Sequence, residues 1–342
     1  MRDRGVVLVL LLAGAAAASA ADTRALNGKA WEAFRARDFA AAEAAARAAW
    51  RAAEADADAR QAGVAAANVA AGLAMRGRFA EALEWSGKSD ARLAASGSTK
   101  ARGRLAAARA LIHLADGARE AGQAEFARAE TWIGKDDWRL AFVRLTALVY
   151  AEPASDTVYK GLAALLKTAR AEKDPQRTLL CLLALGWGET FFDPGSSLAR
   201  YREAHALVAG GSDAELRAYA AHDLGTALFR AGDLGAAEAA FAEGLAEARR
   251  SADRPLQVVL LNDLSLLHAQ TGADAAAREE DISAQRVLGR IAEDLRQGRL
   301  DDTLLLDFRQ LSKLRYLNLP SVLFPLFHGL FDQLALDPET EG

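Results

Sequence analysis

Small and large apolar residues recur along the chain with a period of about forty residues. Ala30, Ala70 and Ala110 follow one another at this interval, and Gly232 and Gly272 repeat it further along the chain. Within the better copies, a small residue is followed by Gly at +7, an aromatic or aliphatic residue at +9, Ala at +12 and a larger residue at +16. A fixed period of this length is typical of an array of repeated structural units.

The clearest copy of the pattern is LGTALFRAGDLGAAEAAFAEGL, residues 224–245. Its spacing predicts two antiparallel helices that approach closely at Gly225 and Ala237, because small side chains let two backbones come together. Gly232 falls in the turn between the helices, where a left-handed backbone conformation favours glycine. Asp233 follows the turn and is predicted to be the N-cap of the second helix.

This arrangement resembles the tetratricopeptide repeat, a unit of two helices joined by a turn. That repeat usually has about 34 residues, so HEAT and armadillo repeats of about 40–47 residues are the alternatives on length. The internal order of small residue, Gly, aromatic residue and Ala favours the tetratricopeptide repeat. The resemblance implies an all-α fold: a right-handed superhelical solenoid of about seven antiparallel helix pairs over residues 21–292, with the fourth and fifth pairs least regular.

Residues 1–20 have the pattern of a secretory signal peptide. The opening MRDR carries two arginines, Val6 to Leu12 form a short apolar segment, and Ala18-Ser19-Ala20 matches an A-x-A cleavage site. A retained membrane anchor is the alternative, but the uncharged run is at the lower limit of the length needed to span a bilayer. We expect cleavage before Ala21 or Asp22 and a periplasmic or secreted protein, which suggests a Gram-negative bacterium.

Residues 293–342 depart from the repeat pattern. Asp301 is predicted to lie at a helix start, and Phe324, Phe327 and Phe331 follow later at helical spacing. We expect a helical cap here, because the end of a solenoid needs a cover with a polar outer face. The alternative is an exposed apolar surface for a partner or a membrane.

Composition and charge exclude several classes of protein. The 342 residues include 42 Lys and Arg against 46 Asp and Glu, a net charge of −4, and 51% of the chain is hydrophobic. That balance indicates a globular protein without the basic footprint of nucleic-acid binding. The lone cysteine, Cys181, excludes an intrachain disulfide and a multi-cysteine metal site. Its apolar surroundings, RTLLCLLALG, predict a core residue.

The histidines do not form a recognisable catalytic or metal-binding motif. They are widely separated in sequence and lack the H-E-x-x-H spacing: His113, His205, His222, His268 and His328. Phosphate-binding loops, dinucleotide fingerprints and nucleophile elbows are also missing from the sequence. His222 and Asp223 are adjacent, but neighbours on a helix point in different directions, so we do not expect them to form a metal pair. His113 and His268 share one slot of the repeat and are predicted to be satisfied core histidines. We expect a non-catalytic protein without cofactor or metal.

The resemblance implies a concave groove, lined by the first helix of each pair, that holds an extended peptide or a partner helix. Amide side chains there can pair with a peptide backbone, and arginines suit carboxylates. The residues predicted to line it are Trp31, Arg35, Asn68, Arg76, Arg104, His222, Phe229, Arg230, Asn262 and Gln270.

Two functional classes stay open at this point. The first is an interaction scaffold whose partner is another protein or peptide, with no nucleic acid and no small-molecule cofactor. The second is a regulatory or substrate-recruiting subunit of a periplasmic enzyme, or an enzyme with an unrecognised site. If the scaffold's four groove arginines are unpaired, they favour an acidic partner. In the competing arrangement, Arg76 pairs with Glu81, and Arg230 pairs with Asp233 or Glu238.

Overall fold

The computed structural model describes residues 22–34, 38–151, 155–190 and 192–296. These ranges contain fourteen α-helices and no strand, so the all-α prediction is confirmed. The first helix, α1, spans residues 22–34. The others are α2 Phe39–Ala55, α3 Ala59–Met75, α4 Phe79–Ala95, α5 Thr99–Ala115, α6 Arg119–Ile133, α7 Trp138–Ala151, α8 Asp156–Ala171, α9 Pro175–Glu189, α10 Pro194–Val208, α11 Ala214–Arg230, α12 Leu234–Arg250, α13 Arg254–Thr271 and α14 Asp274–Arg296.

The forty-residue period of the sequence arises from two half-periods of twenty. The helices α2 to α5 each have 17 residues. Each is separated from the next by three residues, one of which has positive φ. In this part of the chain these residues are Ala57, Gly77, Gly97 and Gly117, and the same interval returns at Gly232, Ala252 and Gly272.

Aspartates at the helix starts and left-handed residues at the helix ends satisfy the terminal backbone groups. Asp233 accepts a hydrogen bond from the Ala236 N–H at 3.2 Å, which confirms it as the N-cap of α12. The Asp233 N–H in turn donates to the Leu228 carbonyl at 3.0 Å across the turn. Such a bond from beyond the helix end marks a Schellman motif, in which Gly232 takes the left-handed position. Asp58 caps α3 in the same way, at 3.0 Å from Gln61 N–H.

The middle of the array is less regular, as predicted for the fourth and fifth pairs. The helices α6 to α10 have only 14 to 16 residues. Prolines begin α9 and α10, at Pro175 and Pro194. Shorter helices shift the following residues away from the interval of forty, which explains why the repeat pattern fades there.

The predicted close approach of α11 and α12 is present. A Cβ atom placed on Gly225 would lie 2.5 Å from Cδ1 of Phe241, closer than side chains ever pack. Ala237 is completely buried at the same contact region. The α9/α10 pair also packs a glycine against an aromatic ring. A Cβ atom on Gly186 would lie 2.9 Å from the ring of Tyr201.

The described residues divide into two compact units, residues 22–144 and residues 145–296. We call them unit 1 and unit 2. Each has its own apolar core, built around Leu73, Leu93 and Leu111 in unit 1. Cys181 is fully buried in unit 2, and burial raises the pKa of its thiol to about 12, which confirms a core cysteine.

Some predicted segments lie outside the described residues. They are the signal peptide, Arg35 and the chain from residue 297 onward, including the phenylalanine stripe and His328. Among the described helices, none combines the length and apolar character needed to cross a bilayer.

Candidate partner-binding face

Two helices of unit 2, α11 and α13, carry residues at equivalent positions of the repeat. The helices are in contact with each other. Residues forty apart are equivalent in the repeat pattern, and three such pairs relate the two helices. The pairs are His222 with Asn262, Thr226 with Leu266, and Arg230 with Gln270. We call the surface formed by Thr226, Phe229, Arg230, Asn262, Leu266 and Gln270 the α11–α13 face.

The α13 side of this face is open to solvent. Asn262, Leu266 and Gln270 follow one another four residues apart, which places them on one side of a helix. All three are exposed, and Leu266 shows 58% of its surface to solvent. On α11, Arg230 is exposed and Phe229 is half-buried. The α13 side of the face is therefore an apolar side chain between two amides, and α11 carries the aromatic ring and the guanidinium.

A buried histidine ties α11 to α13 beneath this face. His222 Nδ1 lies 3.1 Å from Asp223 Oδ1, and its Nε2 lies 3.0 Å from Asp263 Oδ2 on α13. Burial alone lowers the pKa of His222, but the hydrogen bonds and charges of the two aspartates outweigh it and raise the pKa to about 10. The ring is therefore an imidazolium that donates to both carboxylates at neutral pH. Both nitrogens are occupied, so the ring holds helices together and has no nitrogen left for a substrate.

His222 and Asp223, which the sequence does not predict as a metal pair, are hydrogen-bonded to each other. Neighbouring side chains do start in different directions, but the imidazole is long enough to reach back to the carboxylate. Both side chains are buried, and a buried charge without a partner is costly. This cost favours the rotamers that bring His222 and Asp223 together.

A second polar contact fixes α11 against the start of α13. The Tyr219 hydroxyl donates to Asp253 Oδ2 at 2.9 Å. The other carboxylate oxygen of Asp253 caps α13 by accepting from the Leu256 N–H at 3.0 Å. Two contacts therefore join α11 to α13: Tyr219 with Asp253, and His222 with Asp263. The exposed side chains of the α11–α13 face therefore belong to two helices that these polar contacts join.

The remaining predicted groove residues of the described chain lie in unit 1. Asn68 donates to Asn27 Oδ1 at 3.4 Å, and Asn27 Nδ2 donates to Gln61 Oε1 at 3.0 Å. Trp31 is half-buried and stacks on Phe34 with ring centroids 5.4 Å apart. These contacts make an amide cluster between α1 and α3.

The unit 1 arginines are engaged in the fold. Arg76 pairs with the buried carboxylate of Glu43 at 2.7 Å, and Arg47 binds the other oxygen of Glu43 at 2.7 Å. Glu81, the partner considered from the sequence, instead pairs with Arg78. Arg104 is buried. Among the described members of the predicted set, those classed as exposed are therefore Arg230, Asn262 and Gln270, all in unit 2.

Several relevant residues were not singled out from the sequence. Leu266 directly follows the small residue Ser265, as Trp31 directly follows the small residue Ala30. Because Trp31 was predicted to line the groove, the same position in the repeat would have pointed to Leu266. Asn27 stands three residues before Ala30, as Asn262 does before Ser265. Asp263 gave no signal, because only the packing of α13 on α11 shows that it reaches His222. No group of three metal-binding side chains occurs in the described residues.

No protein-family profile and no curated protein sequence matches the chain. Solved structures do match. The apo form of RapI aligns with a TM-score of 0.56 and 9% identity, covering 91% of this chain and 97% of that one. A Rap protein complexed with Competence and Sporulation Factor aligns with a TM-score of 0.54 and 13% identity, covering 92% and 98%. The chain shares the helical-repeat fold of these Rap proteins, and at such identities the similarity concerns the fold alone.

Proposed function

We propose that this protein is a non-catalytic interaction scaffold of the tetratricopeptide-repeat type that binds an extended segment of a partner protein on the α11–α13 face. One observation carries the proposal: Leu266, an exposed leucine, lies between two exposed amides on a helix that polar contacts join to α11. A contiguous apolar patch rimmed by polar residues marks an interaction site, whereas a single exposed leucine is common, so the proposal depends on Leu266 together with its flanking amides.

The spacing of the three α13 side chains suits an extended chain. Four residues of helix rise about 6 Å, and two residues of an extended peptide cover about 6.6 Å. Asn262 and Gln270 would therefore meet alternating peptide groups of a segment that runs along α13. A carboxamide offers both a donor and an acceptor, so each can bind a backbone amide group at two points. Leu266 would contact the apolar side chain between them.

The fold supports a binding function. Helix-pair arrays bind partners on the surfaces formed by their stacked units, because each unit adds a similar patch of side chains. One of the Rap proteins with the same fold was solved as a complex with Competence and Sporulation Factor. We extend this use of the fold to the present chain as part of the proposal.

The proposal includes export to the periplasm or the extracellular medium. Its support is the sequence of residues 1–20, with arginines, a short apolar segment and an A-x-A site in the order of a cleavable signal peptide. A scaffold in that compartment would act on exported partners.

A matched pair of variants tests the site. Leu266→Asp adds a charge on the α11–α13 face, and Ile282→Asp adds the same charge on α14, where Ile282 is similarly exposed at 52%. Tagged wild-type protein and both variants are used to capture partners, with quantitative mass spectrometry as the readout. We expect a partner retained by wild type and Ile282→Asp and lost by Leu266→Asp. Equal capture by both variants would contradict the proposed site.

A further inference from the structure

A second histidine of unit 2 also lies between two carboxylates, and it joins three helices. His268 on α13 has Nδ1 2.8 Å from Glu280 Oε2 on α14. Its Nε2 lies 3.2 Å from Glu238 Oε1 on α12. These two glutamates are the charged groups recorded against the ring. One imidazole therefore connects α12, α13 and α14, and it does so only if both nitrogens carry a proton.

The arrangement differs from that of His222 in its access to solvent. His222 is completely enclosed, whereas the side chain of His268 keeps 13% of its surface exposed and Glu238 is largely exposed. Protons can therefore exchange with His268 without unfolding of the unit. Beside it, Ser265 Oγ donates to Asp281 Oδ1 at 2.8 Å, which gives α14 a second link to α13 that does not depend on the protons of the imidazole.

The histidine at the equivalent repeat position in unit 1, His113, is not recorded between two carboxylates. His113 stands three residues after Ala110, as His268 stands three residues after Ser265. Among the described residues, the structure records no ion pair for His113. The three-helix contact therefore depends on the glutamates supplied by α12 and α14 and is not a general property of the slot. His113 provides a natural control.

We propose that His268 is a pH-sensitive clasp that holds α14 against α12 and α13 when it is protonated and loosens α14 when it loses its proton. With a neutral ring, only one nitrogen can donate, so one of the two glutamates loses its partner. That glutamate is then free to turn to solvent. This inference concerns the packing of unit 2 and does not rest on the proposed partner-binding function.

The direction of the pH response follows from the surroundings of the ring. Burial lowers the pKa of His268, but hydrogen bonds and charges from Glu238 and Glu280 outweigh it and raise the pKa above the ordinary value of 6.5. A group with a raised folded-state pKa stabilises the fold fully below its unfolded pKa. The stabilisation is lost as the pH rises through the folded value. The clasp is therefore closed in mildly acidic solution and opens toward alkaline pH.

Hydrogen exchange on the full chain tests the clasp. Amide protection in α14, corrected for the intrinsic pH dependence of exchange, is measured from pH 6 upward for wild type, His268→Gln and His113→Gln. We expect wild type and His113→Gln to lose α14 protection severalfold as the pH rises. In His268→Gln, α14 should have, at every pH, the low protection that the wild-type chain reaches only at high pH.

Two results would overturn the inference. One is an α14 protection profile of His268→Gln that matches the wild-type profile across the whole pH range. The other comes from NMR titration of the His268 ring protons in the wild-type chain: a pKa at or below 6.5 would mean that the glutamates do not hold the proton. A pKa above 6.5, together with α14 protection that falls over the same pH interval, supports the clasp.

Discussion

At the scale of single residues, a tight constraint is the contact between Gly225 and the ring of Phe241. We expect Gly225→Ala to cost about 1–3 kcal/mol, because the new methyl group would overpack the contact. Gly235 lies on the exposed side of α12, and a Cβ atom there would meet no other atom within 4 Å. Gly235→Ala should therefore stabilise the protein by about 0.4–1 kcal/mol, because alanine lowers the conformational entropy of the unfolded chain. Urea unfolding of both variants measures the change in the free energy of unfolding, which should be negative for Gly225→Ala and positive for Gly235→Ala. The same change in both variants would contradict the described contact.

His222 supplies a pH dependence at the residue scale. Its folded pKa of about 10 lies above the ordinary 6.5, so its contribution to stability is complete below pH 6.5 and is lost as the pH rises toward 10. His222→Gln leaves Asp223 and Asp263 without their cation and should cost roughly 3–5 kcal/mol near neutral pH. The free energy of unfolding is measured with urea at several pH values between 6 and 10. The wild-type value should fall toward that of the variant as the pH rises. A constant difference between the two proteins across this range would show that the imidazolium is absent.

Sequence reasoning succeeded for residues whose environment is local. The Asp233 cap depends on the next three residues, and the burial of Cys181 follows from the apolar run around it. It did not find the partner of His222, because Asp263 is 41 residues away and stands beside the more conspicuous Asn262. Long-range polar pairs depend on how two helices rotate against each other, and one sequence does not contain that rotation.

At the scale of elements, the turns between helices repeat one backbone geometry with different residues. Ala252, after α12, adopts a φ of 57°, where glycine is usual, and Ala231, before α12, adopts the ordinary right-handed conformation. Ala252→Gly removes a left-handed penalty of roughly 1–2 kcal/mol and adds about 0.5–1 kcal/mol of chain entropy. We therefore expect Ala252→Gly to raise the melting temperature and Ala231→Gly to lower it. A decrease in both variants would argue against the left-handed turn.

The helix pairs were predictable where helix length is constant. Near Ala70 and Gly225 the helices have 17 residues, so equivalent positions recur at forty and the pattern is visible. Between α6 and α10 the helices shorten, and the sequence interval no longer corresponds to the structural one. Hydrophobic spacing alone therefore identified helices there without fixing their pairing.

At the scale of the whole molecule, the sequence anticipated the repeat fold that the chain shares with Rap proteins. It did not anticipate the division into two compact units, since their boundary falls inside α7 without a linker-like composition. The predicted groove residues consequently separate into two groups. Those of unit 1 described by the structure are largely engaged with neighbouring side chains, and the accessible ones belong to unit 2.

Export is a prediction about the whole chain. When the full sequence is expressed in a bacterium with a periplasm, we expect removal of residues 1–20 and a mature protein that starts at Ala21 or Asp22. Fractionation followed by N-terminal sequencing checks this. Material that keeps Met1 and remains with the membrane fraction would favour the alternative, a retained anchor.

The most direct test of the central claim is site-specific photo-crosslinking on the α11–α13 face. A photoreactive amino acid replaces Gln270 in one variant and Ile282 in another, and both positions are exposed. Crosslinked products are then identified by mass spectrometry. We predict a specific partner crosslinked from position 270 and not from position 282, with a yield that falls when Leu266→Asp is added. A partner crosslinked equally from both positions, or a yield unaffected by Leu266→Asp, would contradict binding on this face.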